Sequence, residues 1–280
     1  NCHPQAMEIW DILKWRDIAG SALSRDGNWF AWMESQLEDN AEIFVTNLAT
    51  DSLYNFNCGM TQSNIISFDN ANEFLMFKIF PDKDEQDKLK KQKKPGKNKL
   101  ALVNLANGQL KSFDNVKAVE KAQEKGDWIA IQFNIPDNRE DKEKWTGSDL
   151  MLYHLPDSLY LNFGNVAEFA FDKYGRWLAM IIDTENQTGN CVLLRNIKTG
   201  EVISLESDQA DYSNLNWTEE GEALCFLKAV ADEDYEADFV SVVGYKNLHE
   251  KALDKIIFDP EDISNFPENM TVSPHFTPAW

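Results

Sequence analysis

The chain has 280 residues, of which 43% are hydrophobic, and a formal net charge of -20. That length and apolar content suit one large all-β domain or two ordinary domains with a sizeable core, and they exclude disorder as the default. The acidity argues against nucleic acid and anionic lipid as partners, and no window approaches the roughly 18 apolar residues that a membrane-spanning helix needs.

The first residue is Asn1 rather than Met, which carries the expectation of a cleaved secretory signal and a periplasmic or secreted location. Cys2 stands one place away from where a lipid-anchored bacterial protein carries its acylated cysteine, so an anchor through Cys2 and an ordinary cysteine both stay open. The other cysteines, Cys58, Cys191 and Cys225, match no metal-ligand spacing, and Cys191 and Cys225 read as small hydrophobes in strands. From Met7 to Ile18, the placing of Ile9, Trp10, Ile12 and Leu13 predicts a short helix packed on the first sheet.

A turn followed by an apolar strand then recurs. It opens at Leu23 to Trp32 with Asp26-Gly27 in the turn, and returns at Phe68 to Phe77 with Asn in the place of Gly. Further copies follow at Lys125 to Ile131, at Phe171 to Met180 and at Trp217 to Phe226. A strand-turn-strand half repeats with better discipline. Glu42 to Phe56, Lys99 to Phe113, Asp149 to Phe163 and Cys191 to Leu205 align over 15 positions without a gap, and their starts are 57, 50 and 42 residues apart. Leu48, Leu105, Leu155 and Ile197 share one column, and Phe56, Phe113, Phe163 and Leu205 share the last.

A period of roughly 40 to 50 residues with about four strands per unit predicts an all-β fold, a β-propeller with about five blades present. A two-sheet sandwich is the alternative, but sandwiches do not repeat a hairpin at fixed phase. The division expected is an N-terminal segment with the helix over residues 1–20, then blades over 21–280. The long first interval holds an insertion, Asp82 to Asn98, with lysines at 83, 88, 90, 91, 93, 94 and 97; a grip on an acidic partner is one reading, and a solvated, mobile loop between two strands is the one preferred. Asp232 to Asp238 is an acidic loop, and Phe239 to Val243 and Leu253 to Phe258 are further strands. The chain stops at Trp280, in the column of Trp217 and Phe171, and is read as a fragment.

Leu13 to Ile18 leading into Ala22 to Trp32 resembles the opening of the N-terminal propeller in secreted bacterial S9 serine peptidases, the prolyl oligopeptidase family. The Lys-rich insertion with Asn98 to Leu105 after it resembles the large members. The resemblance implies a propeller that caps a C-terminal α/β-hydrolase domain and admits short peptides to it, with Ser, Asp and His of the triad in that second domain. No Gly-x-Ser-x-Gly elbow occurs here, and Ser148 after Gly147 lacks the second glycine, so no catalytic residue is assigned. A TolB-like propeller binding a protein or peptide in an envelope assembly is the alternative.

No metal or cofactor is expected. His3, His154, His249 and His275 are scattered, and the loop from Asp232 has Ala237 and Val243 where a calcium loop needs Gly and Glu. Glu219-Glu220 invites comparison with the glutamate pair by which relatives that trim dipeptides hold the substrate amine, yet its place in a repeat turn reads as an exposed turn variant. Trp29, Trp128, Trp177 and Trp217 fall in repeat columns and read as packing between blades rather than as a ligand cage. Asp51-Ser52-Leu53 and Asp157-Ser158-Leu159 match an O-glycosylation acceptor pattern in turns, which is also ordinary turn chemistry.

Overall fold

The computed structural model describes residues 15–137, 139, 145–231, 239–250, 253–263, 266–267 and 270–280. The expected N-terminal helix lies outside these up to Lys14, and its last two residues, Asp17 and Ile18, open a strand instead. The chain forms two compact units, Asn1–Lys117 and Ala118–Trp280.

The first unit carries two four-stranded antiparallel meanders. One is β1 (Asp17–Leu23), β2 (Trp29–Ser35), β3 (Ala41–Asn47) and β4 (Leu53–Gly59). The other is β5 (Ser67–Phe68), β6 (Phe74–Ile79), β7 (Lys99–Asn104) and β8 (Gln109–Phe113). Alternation puts Ala31, Met33, Ile43 and Val45 on one face, where they pack with Leu75, Phe77, Ala101 and Val103. Burial of each large side chain in such a core contributes about 1.5–3 kcal/mol.

In the second unit a seven-stranded sheet runs β9 (Val116–Lys121), β10 (Trp128–Phe133), β11 (Ser148–His154), β12 (Tyr160–Phe171), β13 (Trp177–Ile182), β14 (Cys191–Asn196) and β15 (Val202–Ser207). It holds two meanders that share β12: Tyr160 to Phe163 pair with β11, Glu168 to Phe171 pair with β13, and Val166 pairs with both. A last sheet is β16 (Asp211–Trp217), β17 (Leu224–Val230), β18 (Phe239–Lys246) and β19 (Asp254–Phe258). The described residues thus form five four-stranded blades, as the repeat predicts.

The repeat reaches individual hydrogen bonds. At the β1–β2, β5–β6, β12–β13 and β16–β17 turns, the side chains of Ser24, Asp69, Asp172 and Thr218 accept from the N–H five residues on, at 2.9, 2.7, 2.8 and 3.1 Å. Gly27, Asn72, Gly175 and Gly221 take positive φ three residues after these caps. The following hairpins put Asn47, Asn104, His154 and Asn196 opposite Trp29, Phe74, Trp128 and Trp177. In each, the N–H of Leu48, Leu105, Leu155 or Ile197 donates to the carbonyl just before that aromatic residue, at 2.8 to 2.9 Å. Trp29, Trp128 and Trp177 pack in or against the blade cores, with Trp177 fully inside.

A further expectation is corrected. The Lys-rich insertion contains a capped helix, α1 (Lys83–Gln92), rather than only loop. Asp82 Oδ1 accepts from Glu85 N–H at 2.8 Å, and Lys93 closes the helix at φ 54°. Leu48 shares its column with Leu105 and Leu155 in backbone bonding but differs in burial: it is 53% exposed, against 2% and 3%.

No described helix is long and apolar enough to cross a membrane. Residues 270–280 contain no strand, but the amides of Asn214 and Asn216 donate to the Pro274 and Pro278 carbonyls at 3.1 and 2.8 Å. That lays the segment beside β16, with the Trp280 ring over Gly244, where an added Cβ would come within 2.9 Å of it.

Candidate functional site

Several residues singled out from the sequence prove structural. Ser148 is 1% exposed, and its hydroxyl has no partner among the described atoms. Gly147 before it is wedged so tightly that a Cβ would fall 2.3 Å from the Asp183 carbonyl. A nucleophile needs the opposite setting, an exposed hydroxyl beside a base. Glu219 and Glu220 lie in the Thr218 turn, both exposed; Glu219 pairs with Lys173 at 3.5 Å, and the Glu220 carbonyl accepts from Arg176. Ser52 and Ser158 also sit in exposed turns, with Ser158 bonded to the Tyr153 hydroxyl at 2.7 Å.

Cys58, Cys191 and Cys225 are free thiols. Burial pushes Cys58 and Cys225 up to about 11, so both stay as unreactive thiols at neutral pH. His154 bridges Asp127 and Asp157 at 3.0 and 2.6 Å and stacks on Trp128. Burial of the ring works against the proton, but the two carboxylates outweigh it and hold the imidazole above its ordinary value. His249 packs on Trp177, while His3 and the acidic loop 232–238 lie outside the described residues. Among the described residues no group of three or more His, Cys, Asp or Glu could hold a metal ion.

Glu206 on β15 is a buried tie between neighbouring sheets. Lys228 of β17 and Lys255 of β19 pair with it, and the Tyr245 hydroxyl of β18 donates to it. Burial and that bond push the Tyr245 hydroxyl above its usual range.

What remains is a pair of carboxylates on β9 and β12, the first strands of two neighbouring blades. Glu168 sits at a bulge in β12 and reaches across to β16, accepting from Asn214 N–H at 2.8 Å and Leu215 N–H at 2.7 Å. β1 and β16 bulge in the matching place, so the bulge belongs to the repeat while the carboxylate is particular to this blade. Burial raises Glu168 despite its two N–H donors. Glu120, on β9, is pushed up to about 7, first by the crowding of protein around it and then by the Glu168 charge. Its side chain is nonetheless exposed to solvent, so water screens part of that effect. Such a pair can bind a proton or an ammonium or guanidinium group, either of which relieves the repulsion. Sequence reading missed it: strand alternation assigns a face, but nothing in one strand says which residue of the next blade lies opposite.

Glu120 gives a pH test. An acid raised in the folded state stabilises below its unfolded value near 4.5, and that contribution is lost as pH rises toward about 7. Glu120→Gln is therefore expected to stabilise the fold at pH 8 by about 1 kcal/mol, allowing for solvent screening, and to be neutral at pH 4. Denaturant titration at the two pH values checks this.

No protein-family model matches the chain, and no curated protein does. Solved structures of similar fold include one described as a eukaryotic initiation factor, with TM-score 0.52 and 11% identity over 86% of this chain and 55% of that one. The β-propeller domain of the Trilobed protease from Pyrococcus furiosus gives TM-score 0.46 and 10% identity over 87% and 71%. A prolyl endopeptidase gives TM-score 0.46 and 10% identity over 88% and 43%, so the chain spans less than half of that protein. At such identities likeness speaks to fold alone, and by its own sheet topology this chain is an all-β protein built of four-stranded β-propeller blades.

Proposed function

We propose that the chain is the non-catalytic propeller part of an S9-type serine peptidase, admitting short peptides to an α/β-hydrolase domain outside these 280 residues. The reading places that protein in the periplasm or outside the cell. It rests on the resemblance of residues 13–32 to the opening of such propellers, and the observation that carries it is the pair of carboxylates Glu120 and Glu168 on the first strands of neighbouring blades, Glu168 reaching across to β16. There a carboxylate pair can meet the terminal ammonium or a basic side chain of a peptide, while the chemistry is left to a serine elsewhere.

The test is the reaction of the native protein that contains this chain with a serine-directed fluorophosphonate. The expected label falls on a serine outside residues 1–280, and the chain expressed alone takes none. An unlabelled native protein that copurifies with an envelope protein would instead favour the TolB-like binding module.

A further inference from the structure

The helix α1 and the turn after it concentrate charge against the trend of the molecule. Lys88 to Lys97 holds six lysines and no carboxylate, in a chain of net charge -20. Several other lysines have acidic partners: Lys83 with Glu38, Lys99 with Asp114, Lys173 with Glu219, and Lys228 with Asp208. Lys88, Lys90, Lys91, Lys93 and Lys94 are exposed and have no ion-pair partner among the described residues. The helix holds them in place. Asp82 caps its start, Lys94 N–H returns to the Leu89 carbonyl at 3.0 Å at its end, and Gln86 ties its inner face to the Met60 carbonyl at 2.9 Å. With so many cations at its C-terminal end, the helix is also favoured by its own dipole.

Beneath these charges is a cavity of about 260 Å³. Phe80, Pro81 and Leu89 give it an apolar floor, and Lys90 and Lys94, four residues apart, stand at its rim. Gly96 closes one side, and a Cβ there would press within 3.2 Å of the Pro81 ring. The space accepts one apolar side chain, and the rim accepts carboxylates on either side of it. An ammonium is a compact, hydrated point charge suited to single carboxylates. A duplex or an anionic bilayer would offer a long charged face that also meets the acidic remainder of the molecule, which repels it.

We propose that α1 and its cavity form a docking site for an acidic peptide segment carrying one apolar anchor residue. The anchor enters over Phe80, Pro81 and Leu89, and flanking Asp or Glu side chains pair with Lys90 and Lys94. The site shares no residue with the acidic pair of β9 and β12 and does not depend on its role.

The test is fluorescence anisotropy with a labelled, N-acetylated peptide of glutamates flanking a single phenylalanine, titrated with the full chain. Saturable binding is expected, weakened at least tenfold by the double change Lys90→Glu and Lys94→Glu and several-fold by Leu89→Ala, and unaffected by Lys198→Glu in an exposed turn. Binding should also weaken as salt rises from 50 to 500 mM. The milder pair Lys90→Gln and Lys94→Gln serves if reversal of charge disturbs the helix by circular dichroism. Unsaturable binding, equal affinity in the lysine variants, equal affinity for a peptide with glycine in place of phenylalanine, or tighter binding to phosphatidylserine vesicles than to the peptide would overturn the proposal.

Discussion

Asp172→Ala is expected to destabilise the protein by about 3 kcal/mol, lowering the melting temperature by about 10 °C. The Asp172 side chain is 0% exposed and accepts three hydrogen bonds: Arg176 N–H at 2.6 Å, Trp177 N–H at 2.8 Å and Arg176 Nε at 2.9 Å. Alanine leaves the amides in the turn without that acceptor, each unmade bond costing about 1–3 kcal/mol, and frees the guanidinium. The effect spreads, because Arg176 also donates to the Glu220 and Gly221 carbonyls at 2.6 and 3.0 Å and so joins two neighbouring turns. Arg176 is 36% exposed, so the ion-pair share is small and the buried amides carry most of the loss. Asp26→Ala provides the contrast. Asp26 lies in the equivalent turn and accepts from the Ser24 hydroxyl and the Asn28 amides, but it is exposed, so water can replace those bonds, and Ser24 supplies the cap to Trp29; its removal should cost under about 1 kcal/mol. Equal losses for Asp26 and Asp172 by denaturant unfolding would sink this reading of the turns.

The second large effect is expected at Gly59, where alanine should cost about 4 kcal/mol. Its φ is 76°, and an added Cβ would fall 2.0 Å from the Phe80 carbonyl oxygen and 2.7 Å from its carbon. No side chain can rotate aside, since the obstacle is backbone. Relief requires parting two chain segments that Phe80 N–H to Cys58 O at 2.9 Å and Met60 N–H to Pro81 O at 3.1 Å hold together. Gly27 separates the two contributions: its φ is 72°, but nothing lies within 4 Å of an added Cβ. Gly27→Ala should therefore show only the backbone cost, about 1 kcal/mol. Similar midpoint shifts for the two variants would contradict the close approach at Gly59.

The turns explain why so much of the fold was legible. In three blades the first turn is specified within six residues by a capping side chain, a residue at positive φ and an aromatic that starts the next strand: Ser24, Gly27 and Trp29; Asp69, Asn72 and Phe74; Asp172, Gly175 and Trp177. Such local chemistry survives in sequence even when Asn72 replaces glycine or Thr218 replaces aspartate. The copy before Trp128 is looser: Gly126 has φ 109°, and Glu124 N–H bonds to Lys173 O. The helix α1 was legible in principle, since Asp82 and Glu85 have the spacing of a capping pair, but the surrounding charges masked it. The Glu120 and Glu168 pair was not legible. Its members are 48 residues apart, and their approach depends on how adjacent blades pack, which local propensity does not encode.

The most direct measurement is mass mapping of a serine-directed label on the native protein, with hydrolysis of a short peptide followed alongside. Labelling at a serine beyond this chain, with hydrolysis abolished by the label, is the predicted result. A native protein that takes no label and leaves the peptide intact would contradict the peptidase reading and leave these blades as a binding module.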